Sequence, residues 1–381
     1  MRLLHTSDWH LGRSLHGVEL LDHQAAYLDH LVELARAERV DAVLVAGDVY
    51  DRAIPPVEAV SVLADALARL AEVTTVILTP GNHDSAARLG FGAALMRERV
   101  RLRTAVAGVG EPVVVGDTLV YGLPYLDPDF ARAQLSEERD DEGTPVLLAR
   151  SHEAVLSAAM RRVRADRVAR PQARAVVMAH AFVVGGEASE SERDIRVGGV
   201  DHVPAGVFAG ADYVALGHLH GPQQMAPGVR YSGSPLAYSF SEQRHHKSTA
   251  LVDLAHDEPR VELIPAPVPR RLADVAGTLD ELLSTDAHTA DWVRVTVTDE
   301  HRPPELQARL RAHYPHALAI LHVPAGGAQG AARSVAVSAA SDPLAVAAQF
   351  VRHVTGGDPT PAEADVLRRA YEHAAAAERS A

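Results

Sequence analysis

The stretch TPGNHD, from Thr79 to Asp84, sets three polar side chains side by side just after the apolar run Val76-Ile77-Leu78. Pro-Gly is common turn chemistry, and Asn and Asp also favour turns, so these residues are compatible with an ordinary polar loop. The alternative is that an amide oxygen, an imidazole and a carboxylate are held at the end of a buried strand to carry out chemistry. The choice depends on whether the rest of the chain supplies partners for them.

The composition narrows the class of protein. The chain has 381 residues, enough for two or three domains with a sizeable core. It has no cysteine, which excludes disulfides, thiolate metal sites and cysteine nucleophiles. A formal net charge of -13 argues against holding nucleic acid by bulk positive charge, although a bound divalent ion reverses the local sign. The lack of a signal-peptide pattern and of a run of ~20 apolar residues predicts a cytoplasmic protein.

Apolar periodicity predicts that the first part of the chain alternates strands with helices. Strands are expected around Leu3-Leu4 and over 42–46 and 75–78, with helices between them over 22–38 and 57–70. This β-α-β-α-β order predicts a sheet covered by helices. Later strands are expected over 118–122, 175–178, 213–216, 229–231, 249–254 and 260–265, and a charged helical insertion over about 137–170.

Breaks in this pattern predict the domain boundaries. A proline-rich run at 265–269 separates a first domain over 1–267 from a small α+β unit over 268–324. The stretch 325–341 has the glycine- and alanine-rich composition of a flexible linker. The last part, 342–381, has the pattern of two alanine-rich helices. Within the small unit, helices are expected over 279–283 and 305–313, and strands over 292–297 and 318–323.

Five short polar motifs lie at or just after the ends of predicted strands, where ligands usually bind in α/β sheets. One such motif is weak, because an aspartate after a strand is more often a turn residue or a helix cap than a ligand. Together they predict a site. The motifs are Asp8-Trp9-His10, Gly47-Asp48-Val49-Tyr50-Asp51, Gly81-Asn82-His83-Asp84, His180 and Gly217-His218-Leu219-His220.

The spacing and chemistry of these residues indicate metal ions. In an extended segment residues i and i+2 face the same side, so Asp8 with His10, and His218 with His220, are each expected to converge on one centre. Carboxylates, imidazoles and an amide oxygen suit a pair of Mn²⁺-like ions better than an all-oxygen Ca²⁺ or Mg²⁺ cage. Two ions about 3.5–4 Å apart fit in-line phosphoryl chemistry.

The motifs D-x-H, G-D-x-x-D, G-N-H-D, a lone His and G-H-x-H resemble, in this order, those of the calcineurin-like metallophosphoesterase superfamily. Longer stretches resemble one branch, the SbcD nucleases of bacterial SbcC–SbcD complexes that process DNA ends. The resemblance covers about 1–267 and weakens after it. It implies an α/β sandwich of two β-sheets flanked by helices, followed by an α+β capping domain that contacts DNA and a helical end. The matching stretches are 5–12, 45–51, 80–85, 192–199, 211–220 and 230–242.

The resemblance implies a role for each matching position. His83 would lie near the scissile phosphate and stabilise or protonate the leaving oxygen, with Asp84 orienting its imidazole. The ions, with Mn²⁺ as the expected metal, would lower the pKa of a water and bind phosphate oxygens. One ion would be held by Asp8, His10 and His220, the other by Asn82, His180 and His218, and both by a bridging Asp48.

The resemblance also implies substrates and partners. The substrates would be double-stranded DNA ends and hairpins, cut by exonuclease and endonuclease action in DNA repair, recombination and replication. The helical segment 342–381 would bind an SbcC-like SMC-type ATPase. The chain would form a homodimer within a heterotetramer associated with the nucleoid.

The five motifs alone leave other functions open: a protein phosphatase, a small-molecule phosphodiesterase, or a non-catalytic scaffold that recruits an ATPase. A minimal phosphodiesterase needs neither a small domain nor a helical end, so these favour the nuclease, and the complete ligand set speaks against a scaffold. The arginine-rich stretch 161–174 is open to two interpretations, phosphate contacts or a solvated helix face.

Overall fold

The computed structural model describes residues 1–96, 98–193, 202–324, 343–355 and 359–378. The predicted linker over 325–341 and most of the motif over 192–199 lie outside these ranges. The chain divides into two units, Met1–Ala325 and Gly326–Ala381. No described helix is long and apolar enough to cross a membrane.

Strands dominate the larger unit, and turns and helices of 4 to 17 residues connect them. In chain order the strands are β1 (Arg2–Thr6), β2 (Ser14–Leu15), β3 (Val18–Glu19), β4 (Ala42–Ala46), β5 (Thr75–Thr79), β6 (Val100–Leu102), β7 (Val113–Val115), β8 (Thr118–Gly122), β9 (Arg174–His180), β10 (Phe182–Val183), β11 (His202–Val203), β12 (Tyr213–Gly217), β13 (Gln223–Ala226), β14 (Val229–Tyr231), β15 (Ser248–Asp253), β16 (Arg260–Pro265), β17 (Leu272–Gly277), β18 (Trp292–Val297) and β19 (Ala317–His322). The helices are α1 (Leu21–Ala37), α2 (Val57–Val73), α3 (Ala86–Leu89), α4 (Pro128–Gln134), α5 (His152–Val168), α6 (Leu279–Leu283), α7 (Leu306–His313), α8 (Pro343–Thr355) and α9 (Pro361–Glu378).

Two six-stranded sheets form the centre of the larger unit. The first has the order β16-β15-β1-β4-β5-β6 and the second the order β13-β14-β12-β9-β8-β7. Strands β1, β4, β5 and β6 are parallel neighbours in the first sheet. Strands β8, β9, β12 and β14 are parallel neighbours in the second. Each sheet therefore brings the carboxyl ends of several strands to one edge.

The sheets pack face to face, and helices cover their outer faces. In β4, Ala42, Leu44 and Ala46 lie in the core between the two sheets. The alternate residues Val43 and Val45 pack with α1 and α2, because successive side chains of a strand point to opposite faces. Helix α5 packs on the second sheet in the same way. The predicted fold, two sheets flanked by helices, is confirmed.

A smaller sheet follows in the chain. Strands β17, β18 and β19 form a parallel sheet whose core includes residues of α6 and α7. Leu272 and Trp292 of this sheet pack in a separate apolar cluster with Leu236, Tyr238 and Phe240. The small sheet is thus joined through a continuous apolar contact to the loop that carries Tyr238.

Several short strands and helices of the larger unit were not predicted, and two further differences from the sequence predictions have a clear physical reason. The expected helical insertion over 137–170 is helical only from His152, because the Asp140 carboxylate accepts the backbone N–H groups of Glu142 and Thr144 and fixes a turn. Strand β17 was not predicted. Its sequence, LADVAG, is poor in β-branched residues, and the strand forms by pairing along its whole length with β18.

Candidate metal centre

The five polar motifs meet where the edges of the two sheets come together. The two sheets approach each other closely at β4, where Nδ1 of His180, the last residue of β9, lies 3.1 Å from the Ala46 carbonyl oxygen. A Cβ added to Gly217 would lie 1.8 Å from that same oxygen. Likewise, a Cβ on Gly81 would lie 2.1 Å from Asp48 Oδ1. These glycines are required because the backbones leave no room for a side chain.

The loops that carry the candidate ligands are turned, not extended. Asp8, His10, Asp48 and His218 have φ values of 54°, 44°, 50° and 109°. Left-handed backbone costs of order 1–3 kcal/mol at a non-glycine residue and persists only where the surroundings hold it. Here the N–H of Asp8 donates to Gly47 O and that of His10 to Asp48 O, both at 3.0 Å. The sequence predicts that Asp8 and His10 share a centre because their segment would be extended. The segment is not extended, so the reason given for that prediction is wrong.

Three of the candidate ligands form one half of the cluster. Asp8, His10 and His220 are buried, and one ligand atom of each lies within 4.8 Å of the others. The Nε2 atoms of His10 and His220 are 3.1 Å apart. The Asp8 carboxylate also accepts the backbone N–H of His218 at 3.1 Å, which ties β12 to the β1 loop.

A second group lies on the other side of Asp48. Asn82 Oδ1 is 2.8 Å from His180 Nε2 and 3.3 Å from His218 Nδ1. Asp48 Oδ2 lies 3.5 Å from His180 Nε2 and 3.7 Å from His10 Nε2, so this carboxylate stands between the two groups. Because His218 contacts Asn82 whereas His220 contacts His10, the prediction that these two histidines converge on one centre is wrong.

His83 lies beside the cluster and is held by the Asp48 side chain and the Asp51 backbone. Its N–H donates to Asp48 Oδ1 at 2.8 Å, and its Nδ1 lies 2.8 Å from the carbonyl oxygen of Asp51. Its Nε2 is 3.9 Å from Asp48 Oδ2. The imidazole is 5% exposed, so only a small part of it is open to solvent.

The hydrogen bonds that the structure shows for the Asp84 carboxylate are to backbone N–H groups and not to the imidazole of His83. Its carboxylate accepts the N–H groups of Val49, Tyr50 and Gly81 at 2.9–3.0 Å. Among the described residues, the hydrogen-bond partner of His83 Nδ1 is the Asp51 carbonyl. The prediction that Asp84 orients the imidazole directly is therefore corrected. Asp84 fixes the loop that carries Asp51, and this loop holds His83.

Burial and charge shift the pKa values of the cluster in opposite directions. Burial raises the pKa of Asp8 to about 6. Burial also acts to raise the pKa of Asp48, but the surrounding histidines hold it well below the usual range. His180 is the counterpart: burial lowers its pKa, yet Asp48 and Asp8 together raise it to about 9. Burial keeps the pKa values of His10 and His218 well below normal. The buried carboxylates and imidazoles of the cluster thus shift one another's pKa values through their charges.

A buried polar network behind His220 was not predicted. Ser191 Oγ lies 2.7 Å from His220 Nδ1, and Glu242 Oε1 lies 3.3 Å from it. Lys247 forms an ion pair with Glu242, and both side chains are buried. Glu242 ends a family-like stretch, and Lys247 is the single lysine of the chain, so the sequence held a signal that only the fold could connect to His220.

The arginine-rich stretch 161–174 is largely committed to contacts within the protein. Arg164 donates to the carbonyl oxygens of Val207 and Ala209. Arg167 and Arg174 both pair with Asp212. These contacts favour a structural role for the stretch over phosphate binding.

The donor set fits divalent metal ions. Three groups of buried side chains each bring candidate ligand atoms within 4.8 Å of one another. Asp8, His10 and Asp48 each belong to two of these groups. A site that mixes imidazole nitrogens with carboxylate and amide oxygens differs from the all-oxygen sites that Ca²⁺ and Mg²⁺ prefer. The groups are Asp8, His10 and His220; His10, Asp48 and His83; and Asp8, Asp48 and His180.

Comparisons with known proteins find similar sequences and structures. A curated relative, the SbcD subunit of the nuclease SbcCD of Staphylococcus saprophyticus, is 29% identical over 330 residues, which cover 84% of this chain and 84% of the relative. A Thermus thermophilus crystal structure, TT1561, covers 69% of this chain and 98% of its own at a TM-score of 0.39 and 15% identity. A dimetal phosphatase from Danio rerio covers 70% and 96% at a TM-score of 0.42 and 14% identity. The likeness to these two structures is too weak to add to the fold assignment.

Two family models match successive parts of the chain. The type 5 capsule protein repressor C-terminal domain matches residues 268–355. The calcineurin-like phosphoesterase model matches residues 1–222, which contain all five polar motifs. The resemblance predicted from the motifs is confirmed. Because the match over residues 1–222 spans more than half of the chain, the protein belongs to the calcineurin-like phosphoesterase family.

Proposed function

We propose that the protein is a metal-dependent nuclease that hydrolyses phosphodiester bonds at double-stranded DNA ends and hairpins. The observation that carries this proposal is the buried cluster around Asp48, to which both sheets contribute ligands. The family supplies the reaction class, phosphoester hydrolysis. The relative named as part of a nuclease, similar over 84% of both chains, favours DNA as the substrate.

Within this proposal each half of the cluster holds one divalent ion, and Mn²⁺ is the proposed metal. When bound, the ions supply positive charge that lowers the pKa of a water and binds the phosphate oxygens. Asp48 contributes to both halves because its carboxylate stands between His10 and His180. Asp8, His10 and His220 hold one ion, and Asn82, His180 and His218 hold the other.

His83 is the proposed general acid. With Nδ1–H donated to the Asp51 carbonyl, Nε2 is the ring atom that faces the cluster. In the imidazolium form Nε2–H can donate its proton to the leaving oxygen of the substrate. Burial lowers the pKa of His83, which eases the release of that proton. Asp84 contributes by holding the loop that bears Asp51.

Release of nucleotides from blunt duplex DNA tests the substrate. The full chain with Mn²⁺ is expected to shorten a labelled duplex and to open a hairpin. Cyclic nucleotides and phosphopeptides serve as matched substrates for the other members of the reaction class. If the chain hydrolyses either of these substrates and does not cleave the DNA, it is a small-molecule phosphodiesterase or a phosphatase instead.

We further propose that the small domain over 268–324 caps the DNA and that 342–381 binds an SbcC-like SMC-type ATPase. Helices α8 and α9 expose Phe350, Val366 and Tyr371, which are 67%, 56% and 43% accessible. Such exposed apolar faces suit a partner surface. The assembly is proposed to be a heterotetramer built on a homodimer, cytoplasmic and associated with the nucleoid.

Truncation after Ala325 tests the partner segment. The truncated chain is expected to hydrolyse a small phosphodiester at the full-length rate, because the larger unit contains the whole cluster. It is expected to lose co-purification with the ATPase and ATP-stimulated DNA cleavage. A truncated chain that forms the complex with unchanged affinity would place the partner site elsewhere.

A further inference from the structure

The single lysine of the chain lies buried directly behind His220. Lysine and arginine total 37 residues, and 36 of them are arginine. The ammonium group of Lys247 donates to the Glu242 carboxylate, to the His220 carbonyl oxygen at 2.9 Å and to Ser234 Oγ at 2.9 Å. Three donors thus meet three acceptors. The planar guanidinium of arginine, with five donors in a fixed fork, does not match this arrangement.

Glu242 connects Lys247 to Ser191. Its Oε1 accepts the backbone N–H of Tyr238 at 3.1 Å and the hydroxyl of Ser191 at 2.5 Å, while Oε2 accepts the ammonium of Lys247. The carboxylate is therefore surrounded by donors. A serine hydroxyl has a single hydrogen, and here it points to Glu242.

This direction fixes the tautomer of His220. The Ser191 hydroxyl donates its one hydrogen to Glu242. Towards His220 Nδ1, which lies 2.7 Å away, Ser191 Oγ can therefore only accept a hydrogen bond. Nδ1 therefore carries the hydrogen, and the lone pair is on Nε2. Nε2 is the atom that faces His10 across the cluster. The backbone is held as well, because the His220 N–H donates to Glu192 Oε1 at 2.8 Å and its carbonyl accepts from Lys247.

We propose that Lys247, Glu242 and Ser191 act together as positioning residues that hold His220 in the tautomer and orientation required to bind a divalent metal ion through Nε2. The proposal deepens the proposed function, on which it rests. A buried ion pair often contributes little net stability compared with well-packed apolar residues. Its place behind a candidate ligand gives it a role beyond folding, since outer hydrogen bonds to a ligating histidine set its basicity and orientation.

Mn²⁺ binding measured by isothermal titration calorimetry on the full chain, freed of metal with a chelator and dialysed, tests the proposal. Ser191→Ala is expected to weaken one of two Mn²⁺ sites by about 10–100-fold and to leave the other unchanged. Ser191→Thr, which keeps the hydroxyl, is the matched control and is expected to retain both affinities. In a His220→Ala background, Ser191→Ala is expected to have no further effect, because the interaction runs through His220.

A double variant separates positioning from stability. Glu242→Leu combined with Lys247→Met leaves no unpaired buried charge, and it is expected to show the same selective loss of one Mn²⁺ site. Wild-type affinity at both sites in Ser191→Ala or in the double variant would overturn the proposal. Equal weakening of both sites in Ser191→Ala would also overturn it. A wild-type chain that binds no Mn²⁺ would overturn the proposed function as well, whereas a failure confined to the variants would leave that function standing.

Discussion

Gly217→Ala tests whether the site depends on the close approach of the two sheets. The added Cβ would lie 1.8 Å from Ala46 O and 2.9 Å from His180 Nδ1. Real Cβ contacts essentially never fall below 3.0 Å, so the backbone must move apart by the difference between 3.0 and 1.8 Å, about 1.2 Å. The atom that must move is a backbone carbonyl of β4, and this strand leads directly into Asp48.

The expected effects follow from this displacement. Overpacking of this kind costs about 1–3 kcal/mol in the free energy of unfolding. A misplacement of about 1 Å between reacting groups costs of order 10²-fold in rate. Gly217→Ala is therefore expected to unfold several degrees lower and to lose about 100-fold in Mn²⁺-dependent hydrolysis of bis-p-nitrophenyl phosphate.

Gly206→Ala is the matched control. A Cβ at Gly206 would meet nothing within 4 Å, and its φ lies outside the left-handed range. This variant is expected to keep the wild-type unfolding temperature and rate. If Gly217→Ala matches Gly206→Ala in both measurements, the close approach of the sheets does not position the site.

Three further substitutions test separate parts of the structure. Asp48→Ala is expected to lose both Mn²⁺ ions in a calorimetric titration, because its carboxylate stands between the two halves of the cluster; retained stoichiometry would remove its bridging role. Asp84→Ala leaves three buried N–H groups without their acceptor and is expected to lower the free energy of unfolding by roughly 3 kcal/mol or more, at about 1–3 kcal/mol for each group; chemical denaturation with an unchanged midpoint would contradict this. Arg164→Ala is expected to leave the salt dependence of DNA binding unchanged, since its guanidinium donates to two carbonyl oxygens; a shallower salt dependence would return the stretch 161–174 to a phosphate-binding role.

The sequence predicted the elements whose signals are local. Strand β4 reads as a continuous apolar run and was located to the residue, and α2 begins at its predicted start after Pro55-Pro56. The polar motifs were recognised because each follows such a strand. Strand β17 was missed because its residues carry little β propensity and its partner strand supplies the pairing.

Contacts between distant parts of the chain could not be predicted. The left-handed backbone of Asp8 and His10 depends on hydrogen bonds to the β4 loop, about forty residues away. The partners of Asp84 are backbone groups that composition does not reveal. Glu242 and Lys247 reach His220 only because the chain folds back between β14 and β15, so their role follows from the structure alone.

The most direct test of the metal-dependent phosphodiester chemistry is the hydrolysis of bis-p-nitrophenyl phosphate, measured for the purified wild-type chain and for His83→Ala. We predict hydrolysis that is lost on chelation, restored by Mn²⁺, and about 10²–10⁴-fold slower in His83→Ala although that variant keeps its bound metal. A wild-type rate that is the same with and without Mn²⁺, or a His83→Ala variant with the full wild-type rate, would contradict the proposed centre and the role of His83 in it.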